Sequence, residues 1–93
     1  MAKNSKVVEP SSTINYGDIE VNFYERKGGN VSVKITACDA LVVYGKVQKY
    51  SDGAFLALPN YKNKDGERVS QAYIFDKKLI DKIQSHIDKH YAD

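Results

Sequence analysis

Apolar and polar side chains alternate with a period of two through most of the chain, a pattern that predicts β-strands. Ile19, Val21 and Phe23 share one face of such a strand, with polar residues between them. Glycine, proline and aspartate separate the successive apolar runs and predict turns there. The runs that carry the strand pattern are 18–26, 31–37, 41–50, 54–58 and 69–75.

The apolar period lengthens to three or four residues after Asp76, which predicts one C-terminal helix. The Asp76 carboxylate can cap the first turn of that helix. Because a helix of this length is marginal alone, its apolar stripe must dock on the sheet. The expected fold is therefore α+β, a twisted antiparallel sheet of about four strands with the helix packed on one face. The stripe consists of Leu79, Ile80, Ile83, Ile87 and Tyr91.

The first 15 residues differ from the rest because they are polar and show no sustained period. We expect residues 1–15 to be a flexible N-terminal segment, although Val7 and Val8 leave a short edge strand open. Residues 16–93 then form a single sheet-plus-helix domain, since 93 residues with 42% hydrophobic content suffice for one domain. So short a chain buries a modest core, and we expect a homodimer or higher homo-oligomer.

Charge and cysteine content narrow the class of protein only slightly. The net charge is +2, so the overall balance says little about partners. The single cysteine, Cys38, excludes an intramolecular disulfide and fits a reducing compartment, with a buried or half-buried thiol. The sequence has no apolar run of membrane length and no signal-peptide core. We therefore expect a soluble cytoplasmic protein, bacterial or in the host cytoplasm of a phage, with no membrane partner.

Tyrosines alternate with basic side chains over 42–68, and this is the strongest functional signal in the sequence. In a strand over 41–50, Tyr44, Lys46 and Tyr50 would share one face. Aromatic rings beside ammonium groups suit a single nucleic-acid strand, because bases stack on the rings while phosphates lie near the charges. The simpler alternative is that tyrosine is a good strand former whose ring covers half-buried sheet.

The candidate nucleic-acid-binding residues divide into two chemical groups. Tyr44, Tyr50 and Tyr61 are expected to stack on bases. A basic loop over 60–68, with Asp-Gly at its tip, adds charge to that of the strands. The basic candidates for phosphate contacts are Lys34, Lys46, Lys62, Lys64 and Arg68.

Motifs for catalysis or for a cofactor are missing from the sequence. The glycines after Lys27 lack the strand-to-helix setting of a phosphate loop. His86 and His90 have a spacing that can hold a metal, but nothing completes a tetrahedral site, so two exposed helix histidines are the simpler interpretation. No serine–histidine–acid or paired-carboxylate arrangement is suggested. We expect no metal, no cofactor and no enzymatic activity.

Residues 33–91 resemble the SpoVG family of small bacterial nucleic-acid-binding proteins. The resemblance lies in the apolar strand from Gly53 to Pro59, in the basic loop with Asp-Gly-Glu at 65–67, and in the closing helix. Two departures are visible: residues 60–62 read Asn-Tyr-Lys where the family has Ser-Lys-Arg, and the proline of the last strand is absent. The resemblance implies a regulator that binds duplex DNA or RNA through the basic loop and basic helix residues.

The element order, successive strands followed by one helix, also resembles the single-stranded-DNA-binding fold of transcriptional coactivators and Whirly proteins, which some phages use in replication. That resemblance implies a dimer whose sheets present basic and aromatic side chains to single-stranded DNA. The leading expectation is a largely sequence-independent, non-enzymatic single-stranded DNA-binding protein, in phage or mobile-element DNA replication or recombination. The SpoVG-like regulator and a protein-interaction module with exposed tyrosines are the alternatives.

Overall fold

The computed structural model describes residues 9–91, which form a main sheet, a small hairpin and one helix. The main sheet contains β1 Ser12–Tyr16, β2 Ile19–Glu25, β3 Val31–Ala37, β4 Leu41–Tyr50 and β5 Gly53–Ala57. The hairpin contains β6 Asn60–Lys62 and β7 Arg68–Ser70, and the helix is α1 Lys77–His90. None of the helical segments within residues 9–91 has the length and hydrophobicity that crossing a bilayer requires.

The main sheet is an antiparallel meander in the order β1-β2-β3-β4-β5. It curls around α1, because the helix contacts both outer strands. Gln84 Nε2 donates a 2.9 Å hydrogen bond to the carbonyl oxygen of Ala54 in β5, and His86 Nε2 is hydrogen-bonded to Ser12 Oγ in β1 at 2.9 Å. The predicted α+β class and the C-terminal helix are confirmed, and the sheet has five strands where about four were predicted.

The hydrophobic core lies between the curled sheet and α1. Cross-strand register aligns the inward residues, with Val21 opposite Ile35 and Phe23 opposite Val33. Burying each such side chain contributes roughly 1.5–3 kcal/mol, so this alignment is the main source of stability. The largest fully buried side chains are those of Phe23, Leu79, Ile83, Ile87, Val21 and Val33.

Asp76 caps α1, as the sequence predicted. Its Oδ1 accepts hydrogen bonds from the backbone N–H groups of Lys78 and Leu79, at 2.9 and 3.3 Å. Its Oδ2 accepts a 2.9 Å hydrogen bond from the hydroxyl of Tyr16, which ties the helix start to β1. That bond is the main reason why the pKa of Asp76 is lowered and the pKa of Tyr16 is raised. The apolar stripe is narrower than predicted, since Ile80 is 42% exposed.

The N-terminal segment differs from the expectation of a flexible lead-in over residues 1–15. Ser12–Tyr16 forms β1, and Ile14 is buried opposite Val21. The alternation there is only five residues long, and the polar residues before it hide the pattern. Residues 1–8, including Val7 and Val8, lie outside the described residues.

The predicted last strand over 69–75 is wrong beyond residue 70. Residues 68–70 pair with 60–62, and residues 72–76 have no regular secondary structure. The expected basic loop is therefore a hairpin. Its turn is organised by Asn63, whose Oδ1 accepts hydrogen bonds from the backbone N–H groups of Asp65 and Glu67 at 3.0 and 2.9 Å. Side-chain bonding of this kind favours a turn without requiring an apolar pattern.

The break predicted at residues 38–40 is a tight turn between β3 and β4. Cys38 and Asp39 have positive φ angles of 54° and 53°, and Ala40 N–H donates to the Ala37 carbonyl at 2.9 Å. Such φ values are uncommon outside glycine. The turn projects Cys38 outward, so the expectation of a buried or half-buried thiol is wrong, and Cys38 is exposed.

Gly45, in the middle of β4, allows the chain that leaves β5 to pass close by. A Cβ at Gly45 would lie 2.6 Å from the carbonyl oxygen of Ala57 and 3.2 Å from Leu58 Cδ2. Because the first of these atoms belongs to the backbone, it cannot rotate away. The close approach of residues 57–58 to β4 therefore requires glycine at this position.

We expect Gly45→Ala to lower the free energy of unfolding by roughly 1–3 kcal/mol, because the added methyl would clash with the carbonyl oxygen of Ala57. Urea denaturation followed by circular dichroism measures this loss. Ser51→Thr adds one methyl at an exposed turn and should change stability by less than about 0.5 kcal/mol. Equal stability of Gly45→Ala and the wild type would contradict the close approach.

His86 is half-buried, in contrast to the exposed helix histidine expected from the sequence. Its ring stacks on Phe23 with centroids 4.7 Å apart, and its Nε2 is bonded to Ser12. Burial is the main cause that lowers the pKa of His86, and the positive charges of His90 and Lys89 lower it further.

Because this pKa is lowered, we expect the free energy of unfolding to decrease as the pH is lowered below neutrality. Since the unfolded chain has the higher histidine pKa, it binds the proton first as the pH drops. The His86 contribution should be complete above about pH 6.5 and should decline below it toward the folded-state pKa. Urea unfolding between about pH 7.5 and 5 measures the decline. His86→Gln should remove most of this pH-dependent decline, whereas His90→Gln should leave most of it. A decline that His90→Gln removes and His86→Gln leaves would contradict its assignment to His86.

Candidate nucleic-acid interface

The side of the main sheet that faces away from α1 is called the open face here. Register defines it, because Lys46 lies opposite both Ser32 and Ala57, and Tyr44 lies opposite Lys34. The alternation of β4 therefore places Tyr44, Lys46 and Tyr50 on one side, as the sequence predicted. The central residues of the open face are Tyr24, Ser32, Lys34, Val42, Tyr44, Lys46, Gln48, Tyr50 and Phe55.

The tyrosines of β4 are directed to solvent and do not lie under the helix. Tyr44 is 65% exposed and Tyr50 is 59% exposed. The Tyr50 ring contacts Phe55 of β5, with centroids 5.8 Å apart. No hydrogen bond to another described residue involves the side chains of Tyr44 or Gln48. These groups are available to an external ligand.

A cleft of about 850 Å³ lies on the open face, between β4 and the chain that follows β5. We call it the aromatic cleft. Gly45 and the last residues of the chain that leaves β5, Ala57 and Leu58, lie at the bottom of it. The aromatic cleft is lined by Tyr44, Lys46, Gln48 and Tyr50 from β4, and by Pro59, Asn60 and Arg68 from the other side.

Arg68 reaches the aromatic cleft from the hairpin and is held in place there. Its Nη1 donates a 2.7 Å hydrogen bond to Asn60 Oδ1, and Asn60 Nδ2 donates to the Leu58 carbonyl at 3.1 Å. The guanidinium has further N–H groups to offer, since it carries five donors. Lys62 lies opposite Arg68 in the hairpin and shares its face, so Lys62 stands at the rim of the cleft.

Two further side chains extend the basic and aromatic surface beyond the residues predicted. Tyr24 lies opposite Ser32, in the same row across the sheet as Lys46. The Arg26 guanidinium lies over the Tyr24 ring, 5.4 Å from its centroid, and its Nε donates to Ser32 Oγ at 3.3 Å. Sequence reasoning missed Arg26 and Tyr24 because only the cross-strand register shows that Tyr24 lies in the row of Lys46, with Ser32 of β3 between them.

The remaining predicted residues lie outside the aromatic cleft. Tyr61 lies opposite Val69, on the hairpin face turned away from Asn60 and Arg68. Lys64 is in the exposed turn of the hairpin. Lys34 lies beside Tyr44 across β3 and β4, and it also borders a separate polar recess. The structure thus brings together Tyr44, Lys46, Tyr50 and Arg68, with Lys34 and Lys62 at the margins.

Charge is unevenly distributed across the open face. The polar recess near β1 and β2 is bordered by Asp18, Glu20 and Asp39, with Lys34 as its basic residue. Among the described residues, the aromatic cleft near β4 and β5 is lined by Lys46 and Arg68 and by no carboxylate. Because a phosphate chain is repelled by carboxylates and attracted by cations, β4 and the hairpin form the favoured path for a polyanion.

The length of β4 sets the scale of what the aromatic cleft can hold. Tyr44 and Tyr50 are six positions apart, which corresponds to roughly 20 Å at the usual rise per strand residue. A nucleic-acid strand at duplex spacing advances about 3.4 Å per nucleotide, and an unstacked strand advances further. The two rings can therefore bracket a short oligonucleotide of up to about six residues.

Comparison with known proteins gives no assignment: no family model matches the chain, and neither the curated proteins nor the solved structures contain a significant match. The resemblances noted from the sequence therefore stay predictions. Within residues 9–91, no three histidine, cysteine, aspartate or glutamate side chains come together as a metal site. The functional argument rests on the aromatic cleft itself.

Proposed function

We propose that this protein binds single-stranded DNA in the aromatic cleft, without catalysis and with little sequence preference. The observation that carries the proposal is the convergence of exposed rings and basic side chains on one side of the sheet. Tyr44, Tyr50, Lys46 and Arg68 all line the same cleft, although Arg68 is 18 positions beyond the end of β4.

Binding would use two kinds of contact. Bases would stack on Tyr44 and Tyr50, each stack contributing roughly 1–3 kcal/mol with little dependence on base identity. The phosphates between them would lie near Lys46 and Arg68, with Lys62 at the rim. Gln48, between the two tyrosines, offers an amide to a base edge or a phosphate.

The exposed rings of the aromatic cleft favour a single strand over a duplex. In a duplex both faces of each base are covered by neighbouring pairs, so the rings of Tyr44 and Tyr50 would have no base to stack on. An unpaired strand exposes these faces at little cost. The affinity of this site should therefore fall when its ligand is annealed to a complement.

The hairpin supports a second candidate function, duplex binding. A two-stranded β-ribbon fits the major groove of DNA, and the β6–β7 ribbon carries Lys62, Lys64 and Arg68. On this alternative the hairpin would carry the contacts and β4 would contribute little. The two candidates thus differ in which strand's residues determine affinity.

We expect Tyr44→Ala to weaken binding of a fluorescent oligo-dT by roughly 5- to 150-fold, which corresponds to the loss of one stack. Fluorescence anisotropy at two salt concentrations measures the dissociation constant. The loss of affinity should be similar at both salt concentrations, because stacking releases no counterions.

Tyr61→Ala is the matched control for that measurement. It removes a tyrosine that is 49% exposed but lies on the far face of the hairpin. We expect a change of less than about twofold, well below the energy of one stack. Equal losses for Tyr44→Ala and Tyr61→Ala would contradict the aromatic cleft as the site, and tighter binding of duplex than of oligo-dT would favour the hairpin function.

Lys46→Ala tests the electrostatic part of the proposal. Removing one phosphate contact should reduce the slope of log K against log salt by about 0.7, the value expected for a single strand. Lys82→Ala removes the same charge from α1, on the other side of the sheet, and should leave the slope unchanged. A slope that changes equally in both variants would indicate attraction by net charge alone.

A further inference from the structure

A second surface of the molecule is apolar and lies around the start of α1, next to the aromatic cleft, since Leu58 lines both cavities. A groove of about 320 Å³ separates the end of β5 from the segment that leads into the helix. We call it the apolar groove. Its apolar lining includes Phe55, Leu58, Tyr73, Ile74, Ile80 and Ile83.

Phe75 projects beside this groove without filling it. It is 87% exposed, the highest value among the exposed large hydrophobic residues, and it does not line the groove. Its ring packs edge-to-face against Tyr73 at a centroid distance of 5.0 Å, and Tyr73 does line the groove. A projecting ring therefore stands directly next to an apolar recess on the same surface.

We propose that a second copy of this chain docks here, as a two-fold dimer in which Phe75 of each copy enters the apolar groove of the other. In a two-fold contact the same patch meets itself, so a projection and its recess must lie side by side on one surface. The recess is large enough, since a cavity of about 150 Å³ already holds a benzene molecule.

The charges around the apolar groove fit contact between identical surfaces. Ile80 lies between Lys77 and Asp81, which form a 3.4 Å ion pair. An isologous interface presents the same rim on both copies, and a rim with net charge would repel its own image. This rim is balanced. The whole chain carries a net charge of only +2, so long-range repulsion between copies is also weak.

The β5 edge beside the groove carries no charged side chain and no proline, although Gln84 of α1 already bonds to one of its carbonyl oxygens, that of Ala54. Edge strands usually carry charged residues or proline that block pairing with other chains. β5 reads Gly-Ala-Phe-Leu-Ala and contains neither. The outer side of the sheet is thus compatible with close approach of a second chain.

The exposed apolar area is of the size that a dimer contact needs at its centre. Phe55, Tyr73, Phe75 and Ile80 are each at least 40% exposed, and together they present roughly 400 Å² of side-chain surface. A standard interface buries about 800 Å² on each partner, with an apolar core inside a polar rim. These four side chains would supply that core.

Sedimentation equilibrium without nucleic acid tests this proposal. The average mass of the wild type should rise from 10.4 kDa toward twice that value as concentration increases. Phe75→Ser removes the projecting ring, and Ile80→Glu places a charge in the recess. Each should raise the dimer dissociation constant at least tenfold, a usual effect for a buried aromatic anchor.

Tyr61→Ser is the control, because it removes an exposed aromatic ring from a different surface. It should leave the dissociation constant unchanged, and circular dichroism should show the same fold for all three variants. A wild type that stays at 10.4 kDa up to about 1 mM would overturn the proposal, as would a dimer that neither Phe75→Ser nor Ile80→Glu weakens. The Phe75→Ser monomer retains the residues of the aromatic cleft and should still bind oligo-dT. Failure of the dimer proposal can therefore be distinguished from failure of the proposed DNA binding.

Discussion

The structure depends on one constraint: a single helix must contact both outer strands of a five-stranded sheet at once. Gln84 bonds to β5 and His86 bonds to β1, only two residues apart on the same helix. The sheet must curl to bring its outer strands within reach of both. Because α1 and the core take up one side, every function of the sheet surface must use the other side, where β4 places its tyrosines.

The aromatic cleft follows from this arrangement and from Gly45. The open face alone would be a convex surface with separate rings and amines. The chain leaving β5 passes close to β4 at Gly45, and the segment that follows, with Arg68 of the hairpin, forms the second wall of a cleft whose first wall carries Tyr44 and Tyr50. The path of the chain after β5 therefore creates the concave shape that a flexible polymer needs.

The sequence predicted the parts of the molecule in which one periodic pattern runs long enough to be read. β4 was predicted over its full length with the correct face, and Asp76 was predicted as the cap of α1. β1 was missed because its pattern is short and follows a polar segment. The far-facing position of Tyr61 and the contribution of Arg26 could not be predicted, since they depend on strand register and on hairpin orientation in space.

The position of α1 has a consequence for how the chain acquires its structure during synthesis. Ser12 is hydrogen-bonded to both His86 and Tyr91, across 74 and 79 positions of sequence. Such remote contacts form late and slow the search for the native state. On the ribosome, the inner side of the sheet stays uncovered until residues 77–90 have emerged from the exit tunnel. The nascent strands therefore expose apolar surface until the helix is available to cover it, and such surface is prone to aggregation.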